Sequence, residues 1–435
     1  MNLQLLIDNA LANKSYQEQF DITNSWHWNY IETLAQNLYE QAKDWKSIEL
    51  IENMITEQQE KYPMMLQIAV KVAKSKKMIS EIKKNVHISV VFAVYKEHQR
   101  ILTKEENPLG ENFLIRKILQ MRFLTDEFKN ISWDMVVVDD GCPEGSGKIA
   151  EQIIAKKQYI FDENLSPDKD ENKTEYVCKN NVKVLFLEDA INQNLSIIKP
   201  LKNTDQSRKG GSVEYGMHYA AQQNKENHVI IFTDADLSTH LGQSGLLVNE
   251  IILNNKKAAI GSRREAKSVV VKKGTRNTRG KLFIYLWKRL IAPLNYIVDT
   301  QCGFKAFDAK IVNNIVENTI EKQFAFDIEL LLKTELLEKN STEKLPIAWF
   351  DSEAASTTTD LQPYLSMLKA TAAMYRKYLP ANPLADSFAV FIESLSEQNW
   401  QKLVENVPQK IADAEPATFD KYNEISVSDL AAILK

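Results

Sequence analysis

The sequence has few cysteines and lacks any long apolar run. Its three cysteines are odd in number and show no paired spacing (Cys142, Cys178 and Cys302), which excludes a disulfide framework and a zinc site and suits a reducing compartment. No run of about 18 or more apolar residues occurs, so the sequence predicts no membrane span. Residues 1–12 lack the basic region and cleavage site of a signal peptide. We therefore expect a cytoplasmic protein, soluble or bound peripherally at the cytoplasmic face of the membrane.

An excess of positive charge is also missing. The 435 residues carry a formal net charge of -4, and no basic and aromatic platform appears, so we expect no nucleic-acid partner. Neither a Gly-x-x-x-x-Gly-Lys-Ser/Thr loop nor a Gly-x-Gly-x-x-Gly fingerprint follows the first predicted strand. Their absence removes the main support for a P-loop or dinucleotide-binding function. With 44% hydrophobic residues, the chain can fill a catalytic core and smaller accessory pieces.

Short runs rich in Val and Ile recur through the middle of the chain. They occupy residues 88–94, 135–138, 182–187 and 228–233, and helix-length segments separate them. This arrangement predicts βαβ units, and therefore an α/β fold with a mostly parallel sheet. Because ligands bind beyond the carboxyl ends of such strands, the polar residues that follow each run are the candidates for a functional site.

The run at 228–233 ends in the acidic pair Asp234 and Asp236, which Ala235 separates. Divalent cations such as Mg²⁺ and Mn²⁺ prefer oxygen ligands, and they commonly bridge one or two carboxylates to substrate phosphates. The pair therefore suggests a metal and diphosphate site, although such a pair taken alone is more often an ordinary turn. His240 follows shortly after, and we interpret it as a surface-loop histidine rather than a metal ligand.

Further motifs accompany this acidic pair in a fixed order. They are the opening strand with Glu97, the segment 138–146, the Lys209-Gly210 step, and the segments 260–263, 299–305 and 326–329. From about residue 86 to about residue 378, the chain resembles the family 2 inverting glycosyltransferases of the GT-A fold. The branch it resembles comprises dolichyl-phosphate glucosyltransferases and bacterial polyprenyl-phosphate glycosyltransferases. The resemblance implies an α/β GT-A fold with a mostly parallel sheet flanked by helices, to which helical N- and C-terminal additions are attached.

The resemblance also implies which residues form the site. It assigns a divalent metal, Mn²⁺ or Mg²⁺, to Asp236 and Asp234, and it assigns catalysis to Asp299, Asp236 and Arg263. The residues implied to bind the nucleotide-sugar donor are Ala93, Tyr95, Glu97, Asp139, Asp140, Lys209, Asp234, Ala235, Arg276 and Arg279. These residue types suit the chemistry, because a metal neutralises the leaving diphosphate and a guanidinium binds phosphate through two donors.

Several of these roles have alternatives. Asp299, which the resemblance places at the mouth of the site, is a base for a hydroxyl acceptor, a positioning group for a phosphate acceptor, or a helix N-cap. The basic residues between Arg263 and Arg279 have two interpretations. Arginines among them bind phosphate, or the segment is a solvated basic loop, which is the interpretation we favour for most of its lysines. Lys96 stands where the family often has Asn, which would bring a cation to the nucleotide edge of the site.

We predict three parts along the chain. A helical arm or small domain occupies residues 1–84, the GT-A catalytic domain residues 85–379, and a helical extension residues 380–435. Apolar residues at helical spacing predict the arm, and Pro63 divides it into several helices. The arms offer a surface for a protein partner. An insertion at 162–181 is charged and predicted to be exposed, and another at 189–207 would reshape the acceptor side of the cleft.

Three functional hypotheses follow. The leading one is a metal-dependent inverting transferase that moves a hexose from a nucleotide-sugar donor to a polyprenyl or dolichyl phosphate at a membrane surface. The segment 299–305 favours glucose, and hence UDP-glucose, over GDP-mannose. The second hypothesis is the same chemistry on a soluble, protein or glycan acceptor, which the missing span supports. The third is a non-catalytic module that binds nucleotide sugars or partners, against which the intact carboxylates argue.

Overall fold

The computed structural model describes residues 3–11, 20–156, 181–271, 277–351, 362–420 and 424–435. Nine strands occur in these ranges. They are β1 (Val86–Val94), β2 (Ile131–Asp139), β3 (Val182–Phe186), β4 (His228–Thr233), β5 (Ala258–Ser262), β6 (Val269–Val271), β7 (Phe304–Asp308), β8 (Thr342–Pro346) and β9 (Ala348–Phe350). Of the predicted insertion at 162–181, only Asn181 lies within the described residues.

Seven of these strands form the main sheet in the order β3-β2-β1-β4-β7-β5-β8. β7 pairs antiparallel with β4 and with β5, whereas the other pairings are parallel. Six strands therefore run in one direction, and β1, β2 and β4 end at the same edge. β6 and β9 form a separate parallel pair. The predicted α/β fold with a mostly parallel sheet is confirmed.

Helices flank the sheet, and further helices precede β1 and follow β9 in the chain. They are α1 (Leu3–Leu11), α2 (Ser25–Gln41), α3 (Trp45–Glu57), α4 (Met64–Glu81), α5 (Phe113–Thr125), α6 (Ser146–Ala155), α7 (Leu187–Asn192), α8 (Gly210–Ala221), α9 (Ser244–Ile252), α10 (Asn277–Leu290), α11 (Ala309–Val316), α12 (Phe326–Leu337), α13 (Gln362–Tyr378), α14 (Pro383–Ser394), α15 (Glu397–Glu405), α16 (Gln409–Asp413) and α17 (Val427–Leu434). In the described ranges, none of them combines the length and apolar composition that crossing a bilayer requires.

The central strands are apolar on both faces, because each face packs against helices. In β4, Val229 and Ile231 belong to the core that the N-terminal helices share, whereas Ile230 and Phe232 belong to the core of the C-terminal helices. Successive side chains of a strand point to opposite faces, so a strand covered on both sides needs a continuous apolar run. β4 is buried along its whole length, and it accordingly has an unbroken apolar run at residues 229–232.

The N-terminal helices begin where the sequence supplies a cap or a proline. The Asn24 side chain accepts a hydrogen bond from the backbone N–H of Trp26 at the start of α2, and Asp44 caps α3 in the same way through Ser47. Pro63 immediately precedes α4, so the predicted division of residues 1–84 into several helices is confirmed. The boundaries predicted at 84/85 and 379/380 stay predictions, since both sets of terminal helices share cores with the sheet.

Candidate active site

A cleft with a volume of about 1070 Å³ lies beyond the carboxyl ends of β1, β2 and β4. It brings together many of the residues that the sequence predicts for the site. These are Ala93, Tyr95, Glu97, Asp140, Lys209, Asp234, Ala235 and Asp236. Three strands whose ends are more than 40 residues apart in sequence thus supply one surface, as the parallel sheet requires. Of the other predicted residues, Arg276 lies outside the described residues, and Asp139, Arg263, Arg279 and Asp299 are not among the residues that line the cleft.

Asp234 is fixed between a cation and a close backbone contact. The Lys209 ammonium forms an ion pair with its carboxylate, and its backbone N–H donates to the Gly303 carbonyl at 3.1 Å. A Cβ atom at Gly303 would lie 2.3 Å from both carboxylate oxygens, so only glycine permits this approach. Burial alone would raise the pKa of Asp234, but Lys209 outweighs it and holds the pKa below its usual value. Asp234 is therefore ionised and paired.

Asp236 lies beside a buried arginine. Its Oδ1 accepts a hydrogen bond from the Ser238 N–H at 3.0 Å, and its Oδ2 is 3.5 Å from Nη1 of Arg100. Arg100 also donates to both carboxylate oxygens of Glu97, at 2.7 and 2.5 Å, and lies 3.6 Å from Glu111. Burial raises the pKa of Glu97 despite this arginine. Arg100 thus connects the loop after β1 to the loop after β4 that contains Asp234 and Asp236, which we call the acidic loop.

The two acidic residues at the end of β2 have different tasks. Asp139 accepts hydrogen bonds from the backbone N–H groups of Cys142 and Gly147, at 2.8 and 2.6 Å, and so closes the loop that follows β2. Asp140 accepts from the Lys209 N–H at 2.7 Å and from the Ser212 hydroxyl at 2.6 Å. Burial raises the pKa of Asp140. Asp140 faces the cleft, whereas Asp139 organises the backbone beneath it.

Asp299 and Arg263 form a buried pair next to the acidic loop. The Asp299 side chain is only 4% exposed, which corrects the expected position at the mouth of the site. The helix N-cap alternative is also wrong, because the chain after Asp299 leads into β7. Burial alone would raise the pKa of Asp299, but the Arg263 guanidinium holds it well below the usual range. Arg263 also stacks on Trp349, 5.0 Å from the ring centroid.

The donor atoms of the acidic loop fit a divalent cation that is shared with a substrate. The carboxylates of Asp234 and Asp236 both line the cleft. Within the described ranges, no group of three or more His, Cys, Asp or Glu side chains is arranged to hold a metal by itself. Mg²⁺ typically binds one or two carboxylates and completes its shell with phosphates and waters. Asp236 is the better placed ligand, because Lys209 already neutralises Asp234.

A large part of the cleft wall consists of residues that no motif in the sequence indicates. Arg100 was detectable, since it lies only three residues after Glu97 in the loop that follows β1. Three cleft residues, Thr204, Asp205 and Gln206, belong to the insertion at 189–207 that is expected to reshape the cleft, but the sequence does not indicate them individually. The remaining residues come from segments with no recognisable motif, and they are Arg208, Gln323, Phe324, Pro363, Leu365, Ser366, Lys369, Leu395, Ser396 and Glu397. The last three belong to the predicted C-terminal extension, which therefore contributes to the site.

His240 is fully buried and accepts a hydrogen bond from the Gly242 N–H, so the surface-loop interpretation of this histidine is wrong.

Comparison with known proteins gives the class of this chain. It is 25% identical over 279 residues to a dolichyl-phosphate β-glucosyltransferase of Trichomonas vaginalis, covering 63% of this chain and 68% of the relative. It is 24% identical over 286 residues to the dolichyl-phosphate β-glucosyltransferase of Saccharomyces cerevisiae, covering 62% and 69%. No family model matches the chain. A solved structure of glucosyl-3-phosphoglycerate synthase from Mycobacterium tuberculosis, in complex with Mn²⁺, UDP-glucose and glycerol 3-phosphate, aligns with a TM-score of 0.42 at 11% identity, over 72% of this chain and 86% of that one.

With its acidic cleft and these relatives, the chain is a glycosyltransferase. Its mostly parallel sheet flanked by helices agrees with the fold that the motif resemblance implies. Its relatives within that class include dolichyl-phosphate β-glucosyltransferases. The family resemblance predicted from the motifs is confirmed, and so is the prediction of an enzyme. The hypothesis of a non-catalytic module is set aside.

Proposed function

We propose that the chain catalyses a metal-dependent, inverting transfer of glucose from UDP-glucose to a polyprenyl or dolichyl phosphate. The observation that carries the proposal is the position of Asp236, beside Asp234 and Lys209, at the end of β4 in a cleft that Asp140 also lines. The glucosyl group and the lipid phosphate are the substrates that the names of the relatives indicate. The acidic pair supports a donor with a diphosphate, since a divalent cation is commonly bound by one or two carboxylates together with the phosphates of a substrate.

In the proposed reaction, the bond between the anomeric carbon and the β-phosphate oxygen breaks, and its electron pair leaves with UDP. An acceptor oxygen forms the new bond from the opposite face, which inverts the configuration. Asp236 would hold the divalent cation, which supplies Lewis-acid neutralisation of the departing diphosphate. Lys209 keeps Asp234 ionised in the cleft, and Asp140, which also lines the cleft, would accept hydrogen bonds from the nucleoside.

The state of Asp299 supports a phosphate acceptor over a hydroxyl acceptor. A general base should have a pKa near the operating pH, whereas Arg263 holds the pKa of Asp299 well below its usual range. Asp299 also accepts three hydrogen bonds from Arg263, one of them from the backbone N–H. A phosphate acceptor is already anionic and needs no base. We therefore assign Asp299 to positioning Arg263 and the neighbouring loop rather than to proton transfer.

A water-soluble phosphorylated acceptor is the second candidate. Polar side chains of the C-terminal helices, Ser366, Lys369, Ser396 and Glu397, line the cleft, and they suit a polar acceptor better than a lipid chain. A peripheral membrane contact and a protein partner at the helical arms stay predictions.

The test uses the whole purified chain with Mn²⁺ and UDP-glucose labelled in the sugar. One set of reactions contains vesicles with polyprenyl phosphate, and a second contains glycerol 3-phosphate without vesicles. The proposal predicts label in the lipid fraction of the first set, dependent on the polyprenyl phosphate. Label in the water-soluble product of the second set alone would replace it with the second candidate, and no transfer in either set would contradict both.

A further inference from the structure

The backbone of the described chain adopts positive φ at ten residues other than glycine. Seven of them are asparagines, which tolerate the left-handed region because the short side chain can bond locally. They are Asn112, Asn194, Asn224, Asn227, Asn255, Asn318 and Asn340. The other three are basic: Lys96 at 58°, Arg208 at 65° and Lys209 at 91°. Lysine and arginine gain no such local compensation, so glycine would be the less strained residue at these three positions.

All three strained basic residues line the cleft described above. Their backbone conformation serves the site: the Lys96 N–H donates to Sγ of Cys142 at 3.2 Å, and the Lys209 N–H donates to Asp140 at 2.7 Å. A glycine would make the same backbone hydrogen bonds without the strain. The turns therefore do not explain why cationic side chains occupy these positions. Strained residues that cluster at one cleft point to a role in function.

The three side chains differ in what they contact. Lys209 pairs with Asp234. Lys96 and Arg208 are exposed, and neither forms an ion pair with any other part of the chain that the structure describes. The Lys96 ammonium lies 5.5 Å from the ring of its neighbour Tyr95. Several carboxylates of the cleft already have partners: Glu97 bonds to Arg100, and Asp140 bonds to Ser212 and the Lys209 N–H. The cleft thus presents two cations that its own carboxylates do not neutralise.

We infer that Lys96 and Arg208 bind phosphate groups of the substrates, and that the strain at both residues is tolerated because their charges are needed there. The inference rests on the proposed function, since that function brings phosphate into the cleft. Both the donor diphosphate and the acceptor monophosphate have the required chemistry. An ammonium binds phosphate as a point charge, and a guanidinium binds it through two parallel donors.

Glycine substitutions separate this role from a structural one. In Lys96→Gly and Arg208→Gly the strain is relieved and the charge is lost, so the midpoint of thermal unfolding should equal or exceed that of the wild type. Phosphate binding should nevertheless weaken about 10-fold or more, as expected for a lost charged hydrogen bond. Asn255→Gly is the matched control: it changes another positive-φ residue outside the cleft lining and should leave both phosphate affinities unchanged. Arg208→Gln keeps a long side chain without the charge, and should weaken phosphate binding at an unchanged unfolding midpoint.

Two arms of the experiment distinguish the two phosphates. Calorimetry with UDP and Mn²⁺ reports the donor diphosphate, and the KM for citronellyl phosphate reports the acceptor. A 10-fold loss in either arm for the glycine variants and Arg208→Gln supports the inference and names the phosphate. Wild-type values in both arms for all three variants would overturn it while leaving the proposed function intact. Failure of the wild-type chain to bind UDP or to transfer glucose would instead contradict the proposed function.

Discussion

Arg263 and Asp299 form a two-pronged ion pair next to the acidic loop. Nη2 of Arg263 lies 2.7 Å from Oδ1 of Asp299, and both Nε and the backbone N–H of Arg263 donate to Oδ2 at 2.8 Å. The pair joins the end of β5 to the segment before β7, which is antiparallel to β5 in the sheet. Because Asp299 is almost completely buried, its charge depends mainly on this arginine, and Lys305 adds a smaller stabilising effect.

Asp299→Asn should therefore destabilise the fold. Removing one partner of a buried pair leaves the other uncompensated, and we expect a loss of about 3 kcal/mol or more in the free energy of unfolding. The low pKa of Asp299 gives this loss a pH dependence: the stabilisation is present above the ordinary carboxyl pKa of about 4 and disappears as the pH falls through the lower pKa of the folded state. Urea unfolding at pH 7 and at pH 3 measures both effects.

The control for this prediction is Asp308→Asn. Asp308 caps α11 by accepting a hydrogen bond from Lys310, and asparagine caps helices equally well, so its stability should not change. Equal stability of Asp299→Asn and the wild type at pH 7 would contradict the structural role assigned to the pair.

Gly303→Ala should disable the acidic loop. The added methyl group would lie 2.3 Å from both carboxylate oxygens of Asp234, so Asp234 must move away from Lys209. We expect metal-dependent UDP binding to weaken by at least about 10-fold, the equivalent of one lost charged hydrogen bond. Gly280→Ala is the control, because the nearest atom to its new methyl is at an ordinary contact distance of 3.7 Å. Unchanged UDP affinity in Gly303→Ala would show that the position of Asp234 is not needed.

Lys117 is a buried lysine whose effect on the free energy of unfolding depends on pH. Its side chain is fully buried and its Nζ has no hydrogen-bond partner among the described residues, although it lies 5.6 Å from the Phe92 ring. Burial lowers its pKa to about 8, against the opposing effect of Asp236, Asp234 and Glu111. Because the unfolded chain keeps the proton up to about pH 10.4, the stability of the wild type should rise between pH 8 and that value.

Lys117→Met should thus be more stable than the wild type at pH 7, by up to about 3 kcal/mol, and the difference should vanish above about pH 10. Chemical unfolding across this pH range measures it. Lys148→Met, which changes an exposed lysine of α6, should show no such pH-dependent gain. A Lys117→Met variant that is less stable than the wild type at pH 7 would indicate that the nearby carboxylates stabilise the ammonium more than burial destabilises it.

Asp139→Asn should lower stability through the loop after β2. The carboxylate accepts from two backbone N–H groups, those of Cys142 and Gly147, and the amide of asparagine can accept only one of them and would face the other with its own donor. We expect a loss of about 2 kcal/mol in the free energy of unfolding. Asp205→Asn, at an exposed residue of the cleft, should be neutral. An unchanged unfolding midpoint for Asp139→Asn would refute this assignment.

The sheet and the acidic loop were predictable because local patterns determine them. A strand that is buried on both faces needs an apolar run at its centre, as β4 has at residues 229–232, and polar residues follow where the strand ends. The environment of Asp299 was not predictable, since its partner Arg263 is brought to it by the pairing of β5 with β7. The cleft residues Arg208, Lys369 and Glu397 carry no motif and meet only through tertiary packing. His240 was assigned to the surface because nothing local indicates the N-terminal helix residue Trp28 that packs against it.

The catalytic role proposed for the acidic loop is tested by metal-dependent turnover of UDP-glucose by the whole chain and by Asp236→Asn. UDP release is measured with polyprenyl phosphate present, first without a divalent cation and then with added Mn²⁺. We expect turnover by the wild type that appears with Mn²⁺, and a loss of at least about 100-fold in Asp236→Asn, since the neutral amide is a poor ligand and the charge of the leaving diphosphate is no longer offset. Turnover by Asp236→Asn at the wild-type rate would show that the acidic loop is not the catalytic centre.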